Sequence, residues 1–408
     1  MAGLTYEAAL AALHDRGRFG IRLGLGRTRA LLHELGDPQD AFRGSLVGGT
    51  NGKGSVLALV GSVLRAAGLR AGETPKPHLV TYRERLQIGG RLVDPATFAR
   101  LVAAALPAAD RVARRHGDPT EFELLTAIAF RWFADEAVDL AVVEVGLGGR
   151  LDATHTWDGG VAAITNVDLD HMDRLGSTVT AIAREKAAII ERGDLAVTGA
   201  SGAGLAVIRR RAGRLGVPLR TVLPAPLLDW DRDGITVDLA GLGPTGVGLR
   251  GRHQAANVAV ADAILDALEQ AGIATVGPQA RRQGYAGARW AGRLELIESG
   301  SHEVLLDGAH NPAGAAVLAQ ALADLRPFLA GGSELRPPPI TVVIGAMADK
   351  DVAGVVRALA GSPALVDAQV ICTQVNEDRA LPADALAALW TGVAPPRVIV
   401  PPSAALSK

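Results

Sequence analysis

The chain reads as an α/β protein: a domain built on a parallel sheet around a phosphate-binding turn, followed by a smaller Rossmann-like α/β domain. Three observations predict this. Apolar strand-like runs alternate with longer helical patterns, the rhythm of βαβ units. The run Gly48-Gly49-Thr50-Asn51-Gly52-Lys53-Gly54-Ser55 lies between the apolar pair Leu46-Val47 and a helical pattern over 55–67. The 408 residues exceed what one hydrophobic core usually serves, so two domains are expected, 1–288 and 289–408.

Strand, glycine-rich turn and helix form an anion-binding geometry. Glycines take positive φ and turn backbone N–H groups inward, and the helix N-terminus adds partial positive charge. Lys53 can reach β- and γ-phosphates, and Ser55 can offer a hydroxyl to Mg²⁺. The run departs from a strict Walker A motif, because Gly54 separates Lys53 from Ser55. The helix is predicted from Val56, Leu59, Val60, Val63 and Leu64, which fall at i, i+3, i+4 spacing.

The remaining elements follow in order. Residues 1–44 read as helices and loops, with a helix over 27–35 stopped at Gly36-Asp37-Pro38. The alanine-rich stretch 103–109 is ordinary helix-forming sequence. Strands are expected at 138–145, 161–167 and 195–198, and short β-like pieces over 227–250. A long alanine-rich helix spans 253–271. The pattern breaks at 284–293, where the domain boundary is placed. In the second domain, strands are expected at 303–306, 340–344, 368–373 and 397–400, with a Gly/Pro-rich loop at 331–339. A further helix is expected to begin where the chain ends, at Ser407-Lys408.

Composition sets bounds. A net charge of −1 with 4% aromatics argues against a nucleic-acid surface. A lone cysteine, Cys372, excludes an internal disulfide and suits a reducing cytoplasm. The first residues lack a signal-peptide pattern, and no apolar run reaches membrane-spanning length. The chain has only five lysines against 37 arginines: Lys53, Lys76, Lys186, Lys350 and Lys408. Lysine in such a chain hints at amine chemistry that a permanently protonated guanidinium cannot supply.

Several residues have both a structural and a chemical reading. Glu144 ends the apolar run 139–143, and carboxylates at strand C-termini of open α/β sheets can hold Mg²⁺; its plain alternative is a solvated strand-end acid. Asp168, Asp170, His171 and Asp173 crowd one loop, either as metal ligands or as a polar turn with capping aspartates. Lys186, beside Arg184 and Glu185, reads on its own as a surface ion pair.

Further motifs run along the chain. They include Pro77-His78-Leu79, Arg83-Glu84-Arg85-Leu86 and the stretch from Glu144 to Thr154. Leu169-Asp170-His171 through Gly176, Arg184-Glu185-Lys186-Ala187-Ala188-Ile189-Ile190 and His253-Gln254-Ala255-Ala256-Asn257 follow. Trp290-Ala291-Gly292-Arg293, Asp307 to Pro312 and Asp349-Lys350-Asp351 complete the series. In order and spacing, with the GTNGKGS turn, the set resembles the folylpolyglutamate synthase/dihydrofolate synthase branch of the Mur ligase superfamily.

That resemblance implies a P-loop ATPase domain followed by a glutamate-ligase domain. It implies nucleotide contacts from Thr50, Asn51, Gly52, Lys53, Gly54 and Ser55, from Asn257 on adenine, and from Arg293, Asp307 and His310 in the second domain. Arginine and histidine would close over the phosphates, and the aspartate would meet the ribose. Metal ligands would be Ser55, Glu144, His171 and Lys186, the last carbamylated by CO₂. Lys53, Lys186, Arg293 and His310 carry the chemistry. Pro77, His78, Arg83 and Asp152 fall where the folate substrate is expected. The chain departs from the family at Pro75-Lys76, where Thr-Ser is common before Pro-His-Leu, and at His155, Ala188 and Ala291, which replace asparagine, glycine and proline.

The resulting expectation is ATP-dependent ligation of L-glutamate to a folate through an acyl phosphate. The cofactors are ATP and Mg²⁺, the acceptor is a tetrahydrofolate or dihydropteroate, and the enzyme is a cytoplasmic monomer without nucleic-acid or membrane partners. Closure of the second domain would shield the acyl phosphate from water. One alternative is a Mur-type ligase acting on another carboxylate, set back by the roughly 48 residues before the turn, too few for a nucleotide-sugar domain. The other is a nucleotide-controlled binding protein, which gives no reason for Arg293, Asp307 and His310.

Overall fold

A computed structural model describes the chain except for residues 1–3, 18–19, 21, 301, 334, 391–395 and 407–408. It divides into two compact units. One comprises Met1–Pro226, Val237–Val247 and Ala255–Arg289; the other comprises Leu227–Thr236, Gly248–Gln254 and Trp290–Lys408. The second unit thus includes two short stretches that a single cut after residue 288 does not.

The first unit is organised by eight strands: β1 (Gly44–Gly48), β2 (Ala71–Thr74), β3 (Gln87–Ile88), β4 (Arg91–Leu92), β5 (Leu140–Glu144), β6 (Gly160–Ile164), β7 (Leu195–Thr198) and β8 (Leu219–Thr221). Their order is β4-β3-β2-β5-β1-β6-β7-β8. From β2 to β8 every pairing is parallel; β3 and β4 add an antiparallel edge. The register sets Val47 against Glu144, Gly48 against Ile164 and Thr74 against Val143. Four strand C-termini therefore end on one edge, where parallel sheets collect ligands.

The helices of this unit are α1 (Tyr6–Gly17), α2 (Gly26–Glu34), α3 (Lys53–Ala66), α4 (Pro95–His116), α5 (Glu121–Asp135), α6 (Met172–Leu175), α7 (Val179–Ala187), α8 (Gly202–Leu215), α9 (Gln254–Gln270) and α10 (Pro278–Gly287). Helix α3 is buried from Ser55 through Leu64, which explains why its apolar residues extend beyond one stripe. Thr120 and Glu123 close a capping box at the start of α5. Helix α5 then buries Phe130 and Phe133 against Phe42, with ring centroids 5.8 Å apart in both pairs. Gly284 of α10 lies so close to α3 that a Cβ would come 2.4 Å from Val63 Cα.

Residues 227–247 carry three short strands, β9 (Leu227–Trp230), β10 (Ile235–Leu239) and β11 (Gly243–Val247). In the second unit, β12 (Glu295–Ser299) and β13 (His302–Leu306) form an antiparallel hairpin. The strand expected at 303–306 therefore pairs with its predecessor and not with the parallel strands that follow. Those are β14 (Thr341–Ile344), β15 (Gln369–Cys372) and β16 (Arg397–Val398), in that order. Helices α11 (Pro312–Leu325), α12 (Val352–Ala360), α13 (Ala383–Ala387) and α14 (Pro402–Leu406) complete the unit. Val355, Val356, Leu359, Val370 and Leu386 lie in its core. The expected terminal helix begins at Pro402; Ser407 and Lys408 lie outside the described residues. Among the described residues no helix is long and apolar enough to cross a membrane.

Candidate active site

The glycine turn leaves β1 and enters α3 with two left-handed glycines, each fixed by a neighbour. At Gly49 (φ 144°) a Cβ would come 1.9 Å from Thr165 Oγ1; at Gly52 (φ 81°) it would come 2.3 Å from Asn257 Oδ1. The segment after β6 holds the turn from the side. Thr50 N donates to the Asn166 carbonyl at 3.1 Å, Asn51 N to Asn166 Oδ1 at 2.9 Å, and Thr165 Oγ1 to the Asn51 carbonyl at 2.6 Å. Thr50 Oγ1 donates to the Asp168 carbonyl and accepts from Asp168 N. Lys53 Nζ folds back over the turn and donates to the Gly49 and Thr50 carbonyls at 3.0 and 2.9 Å. Gly54 and the buried Ser55 lie in the first turn of α3. Asn257, on the first turn of α9, is buried beside Gly52. Thr165 and Asn166 went unflagged in the sequence; their one signal is position, directly after a strand flanking the turn.

Lys186 also reaches this turn. It is 5% exposed, and its Nζ donates to the Gly49 carbonyl at 2.8 Å. The surface ion-pair alternative is thereby replaced: Glu185 faces outward to Arg150, at 2.9 Å, while Lys186 faces inward. Burial lowers the Lys186 ammonium to about 7; Lys53 pushes the same way, and Asp170 and Asp152 oppose. An amine neutral near pH 7 is a nucleophile, which an exposed lysine is not.

Glu144 is 3% exposed, so it is not a solvated strand-end acid. Its Oε2 accepts from Lys76 N at 2.9 Å, and its carbonyl accepts from Lys76 Nζ. The Lys76 ammonium lies 5.2 Å from the Phe122 ring centroid. Lys76-Pro77 is a cis peptide. His78 Nδ1 accepts from Arg85 Nε at 2.8 Å, and its ring lies 4.3 Å from that of Tyr82. Arg83 points elsewhere, donating to the Val93 carbonyl at 2.6 Å. Asp152 is buried and ties down its own loop: Oδ2 accepts from Leu147 N at 2.7 Å, and Oδ1 from Thr154 N and Oγ1.

The crowded 168–173 loop does not gather into a metal-binding group. Asp168 Oδ1 and Asp170 Oδ1 accept from the amides of Leu169 and His171, and Asp173 lies 3.4 Å from Arg174. Both aspartates thus cap backbone amides of the loop, and His171 takes φ 47° before α6. Among the described residues no three His, Cys, Asp or Glu side chains group to hold a metal. Ser55 and Glu144 still offer a hydroxyl and a carboxylate, oxygen donors that fit a hard cation completed by substrate phosphates rather than by a protein cage.

In the second unit, Arg293, Asp307 and His310 come together around the turn after β13. Asp307 Oδ2 accepts from Leu294 N at 3.0 Å and Oδ1 from Ala309 N at 2.8 Å. His310 Nδ1 pairs with the Gly308 carbonyl at 2.9 Å, and Arg293 Nη1 would lie 2.0 Å from a Cβ at Gly308. Burial raises the Asp307 carboxyl, opposed by those two amides and by Arg293 and His310.

Comparison with known proteins defines the class first. Residues 47–212 match the Mur ligase middle domain and residues 292–406 the Mur ligase glutamate ligase domain, which makes this an ATP-dependent ligase of the Mur type. A dihydrofolate synthase/folylpolyglutamate synthase of Bacillus subtilis is 33% identical over 365 residues, covering 87% of this chain and 83% of its own. One of Mycobacterium tuberculosis is 37% identical over 393 residues, covering 89% and 76%. A solved structure of Mycobacterium tuberculosis folylpolyglutamate synthase complexed with ADP superposes with a TM-score of 0.86 at 32% identity, covering 98% of this chain and 90% of that one. The chain belongs to the folylpolyglutamate synthase/dihydrofolate synthase family, and its reaction is the ATP-dependent ligation of L-glutamate to a folate.

Proposed function

We propose that the ligation runs through an acyl phosphate and that tetrahydrofolates extended to polyglutamates are the first substrates, with dihydropteroate as a second. A carboxylate is a poor acyl donor because its leaving group would be oxide. Attack of a carboxylate oxygen on the γ-phosphorus of ATP releases ADP and leaves an acyl phosphate. The glutamate amine then attacks the acyl carbon, and inorganic phosphate departs.

The observation that carries this reading is the convergence of Lys53 and Lys186 on the Gly49 carbonyl, with Asn257 against Gly52. The turn's N–H groups, the α3 N-terminus and Lys53 hold the triphosphate, and Asn257 meets adenine. In this proposal Arg293 and His310 offset phosphate charge, and Asp307 binds the ribose. Ser55, Glu144 and His171, with a carbamylated Lys186, would hold Mg²⁺, whose positive charge would offset the negative charge of the phosphates. Pro77, His78, Arg83 and Asp152 frame the folate site, Asp152 and Arg83 by fixing the loops. The reading includes a monomer acting in the cytoplasm.

The test is mass spectrometry of products from ATP, L-glutamate and either tetrahydrofolate or dihydropteroate. Glutamylated product with ADP release that needs both co-substrates is expected. ADP release at full rate without glutamate contradicts the proposal.

A further inference from the structure

The loop that follows β5 lies on the end of α7, the helix that carries Lys186. A Cβ at Gly149 would come 2.8 Å from the Glu185 carbonyl oxygen and 3.3 Å from that of Lys186, so glycine lets the loop approach this closely. Arg150 N then donates to the Glu185 carbonyl at 3.0 Å, and Arg150 Nε to Glu185 Oε1 at 2.9 Å. Further along the loop the His155 ring ties it down. Its Nδ1 faces the Arg150 carbonyl at 3.2 Å, and its Nε2 faces Glu191 Oε1 at 3.1 Å. Both partners accept, and a protonated imidazole donates from both nitrogens.

The result is one continuous strap through Glu185, Arg150, His155 and Glu191, whose two ends flank Lys186. Its far end is fixed, because Glu191 N donates to the buried Asp194 at 2.7 Å. The His155 side chain is 9% exposed, so water competes little for its contacts. From the other side Arg211 holds the Ala188 and Ile190 carbonyls, which leaves the last turn of α7 to the strap. Asparagine, usual at this position in the family, places its amide at the level of Nδ1 and has no atom at the level of Nε2. Histidine therefore adds the tie to Glu191.

We propose that His155 is a positioning residue for Lys186: by joining the loop to Glu191 it holds the end of α7 so that the Lys186 amine meets the Gly49 carbonyl. The inference rests on the reading of Lys186 as a group of the reaction and adds what fixes it in place.

With five lysines in the chain, peptide-resolved mass spectrometry can follow each one separately. The test is reductive methylation of the full chain with formaldehyde and a borohydride, in CO₂-depleted buffer so that the free amine is read, paired with steady-state kinetics. In the wild type Lys186 should react slowly, being 5% exposed. In His155→Ala and in Glu191→Ala its labelling should quicken about fivefold or more, while Lys76 and Lys350 stay within about twofold of the wild type. The double variant should go no further than either single one, because both cut the same tie. His155→Gln carries an amide near the level of Nε2 and should restore most of the protection; His155→Asn should not. In His155→Ala kcat should fall about tenfold with KM for ATP within about twofold, the split expected of a misplaced group in the chemical step. An unchanged Lys186 rate in His155→Ala, or all three lysines quickening together, overturns the proposal. Faster Lys186 labelling with kcat unaltered supports the strap and overturns instead the reading of Lys186 as a group of the reaction.

Discussion

Lys186 Nζ donates to the carbonyl of Gly49 at 2.8 Å, across 137 residues of sequence. One hydrogen bond thus joins the last turn of α7 to the phosphate-binding turn. The amine is 5% exposed, and among the described residues no carboxylate lies within ion-pair distance of it. Lys186→Arg keeps a positive charge but cannot form a carbamate. Its kcat should fall by about 10²–10³, the usual weight of one preorganised group acting on developing charge. A ¹³C carbamate signal from labelled bicarbonate should be present in the wild type and absent in the variant. Full activity in Lys186→Arg would remove Lys186 from the chemistry.

Gly49→Ala should disable nucleotide use without unfolding the sheet. The added methyl would meet Thr165 Oγ1 at 1.9 Å, and φ 144° is strained for any L side chain. Displacing the turn by even an ångström misplaces its N–H groups, at a cost of about 10²-fold in kcat/KM for ATP. Thr165→Ala relieves the contact but not the backbone strain, so the double variant should recover only part of the loss. Steady-state kinetics on the three proteins checks this.

Helix α9, which carries Asn257, is anchored to α10 by a buried network. Arg281 Nη1 donates to Asp262 Oδ1 at 3.0 Å and to Asp266 Oδ1 at 2.6 Å, and Tyr285 OH donates to Asp262 Oδ1 at 2.9 Å. Asp262→Ala leaves Arg281 with Asp266, the Val276 carbonyl and Glu269 at 3.9 Å, so the loss should lie at the low end of the range for a broken buried pair, about 3 kcal/mol. Tyr285→Phe removes one hydrogen bond and should cost about 1 kcal/mol. Urea unfolding midpoints measure both.

Asp194 supplies a pH test of stability. Burial raises its carboxyl to about 7, Asp158 and Glu191 add to the shift, and the Glu191 amide, donating at 2.7 Å, opposes it. The folded state therefore binds the extra proton between the ordinary carboxylate range and about pH 7. Stability from this group is full at low pH, falls as pH rises through that window, and is lost above it. Asp194→Asn keeps an acceptor for the Glu191 amide and cannot ionise. It should melt higher than the wild type above pH 7, with the difference closing toward pH 4. A pH-independent difference would contradict the assignment.

These particulars also show what was readable in advance. The turn around Lys53 and the end of β5 at Glu144 were legible because glycine freedom and an unbroken apolar run leave local traces. Strand β2, Ala-Gly-Glu-Thr, left none. It is buried, with Gly72 under the Phe133 ring and Glu73 held by Arg65 at 2.8 Å, so neighbours rather than alternation define it. Arg184-Glu185-Lys186 looks like a solvated charged run, and only the helix phase, with Glu185 outward and Lys186 inward, separates the two carbonyl-facing and solvent-facing roles. Lys76 stood out as a departure, but its contact with Glu144 needs the β2–β5 register to bring residues 76 and 144 together. In the loop 168–173, Asp168 and Asp170 cap backbone amides of their own loop, a role that composition alone does not separate from metal binding.

The central claim is activation of the acceptor acid by phosphorylation. It is tested most directly by running the ligation with an acceptor labelled with ¹⁸O in its reacting carboxylate and following the inorganic phosphate by ³¹P NMR. An acyl phosphate delivers one carboxylate oxygen to the phosphate, so labelled phosphate should form in step with glutamylated product. Product formed with unlabelled phosphate would contradict the account.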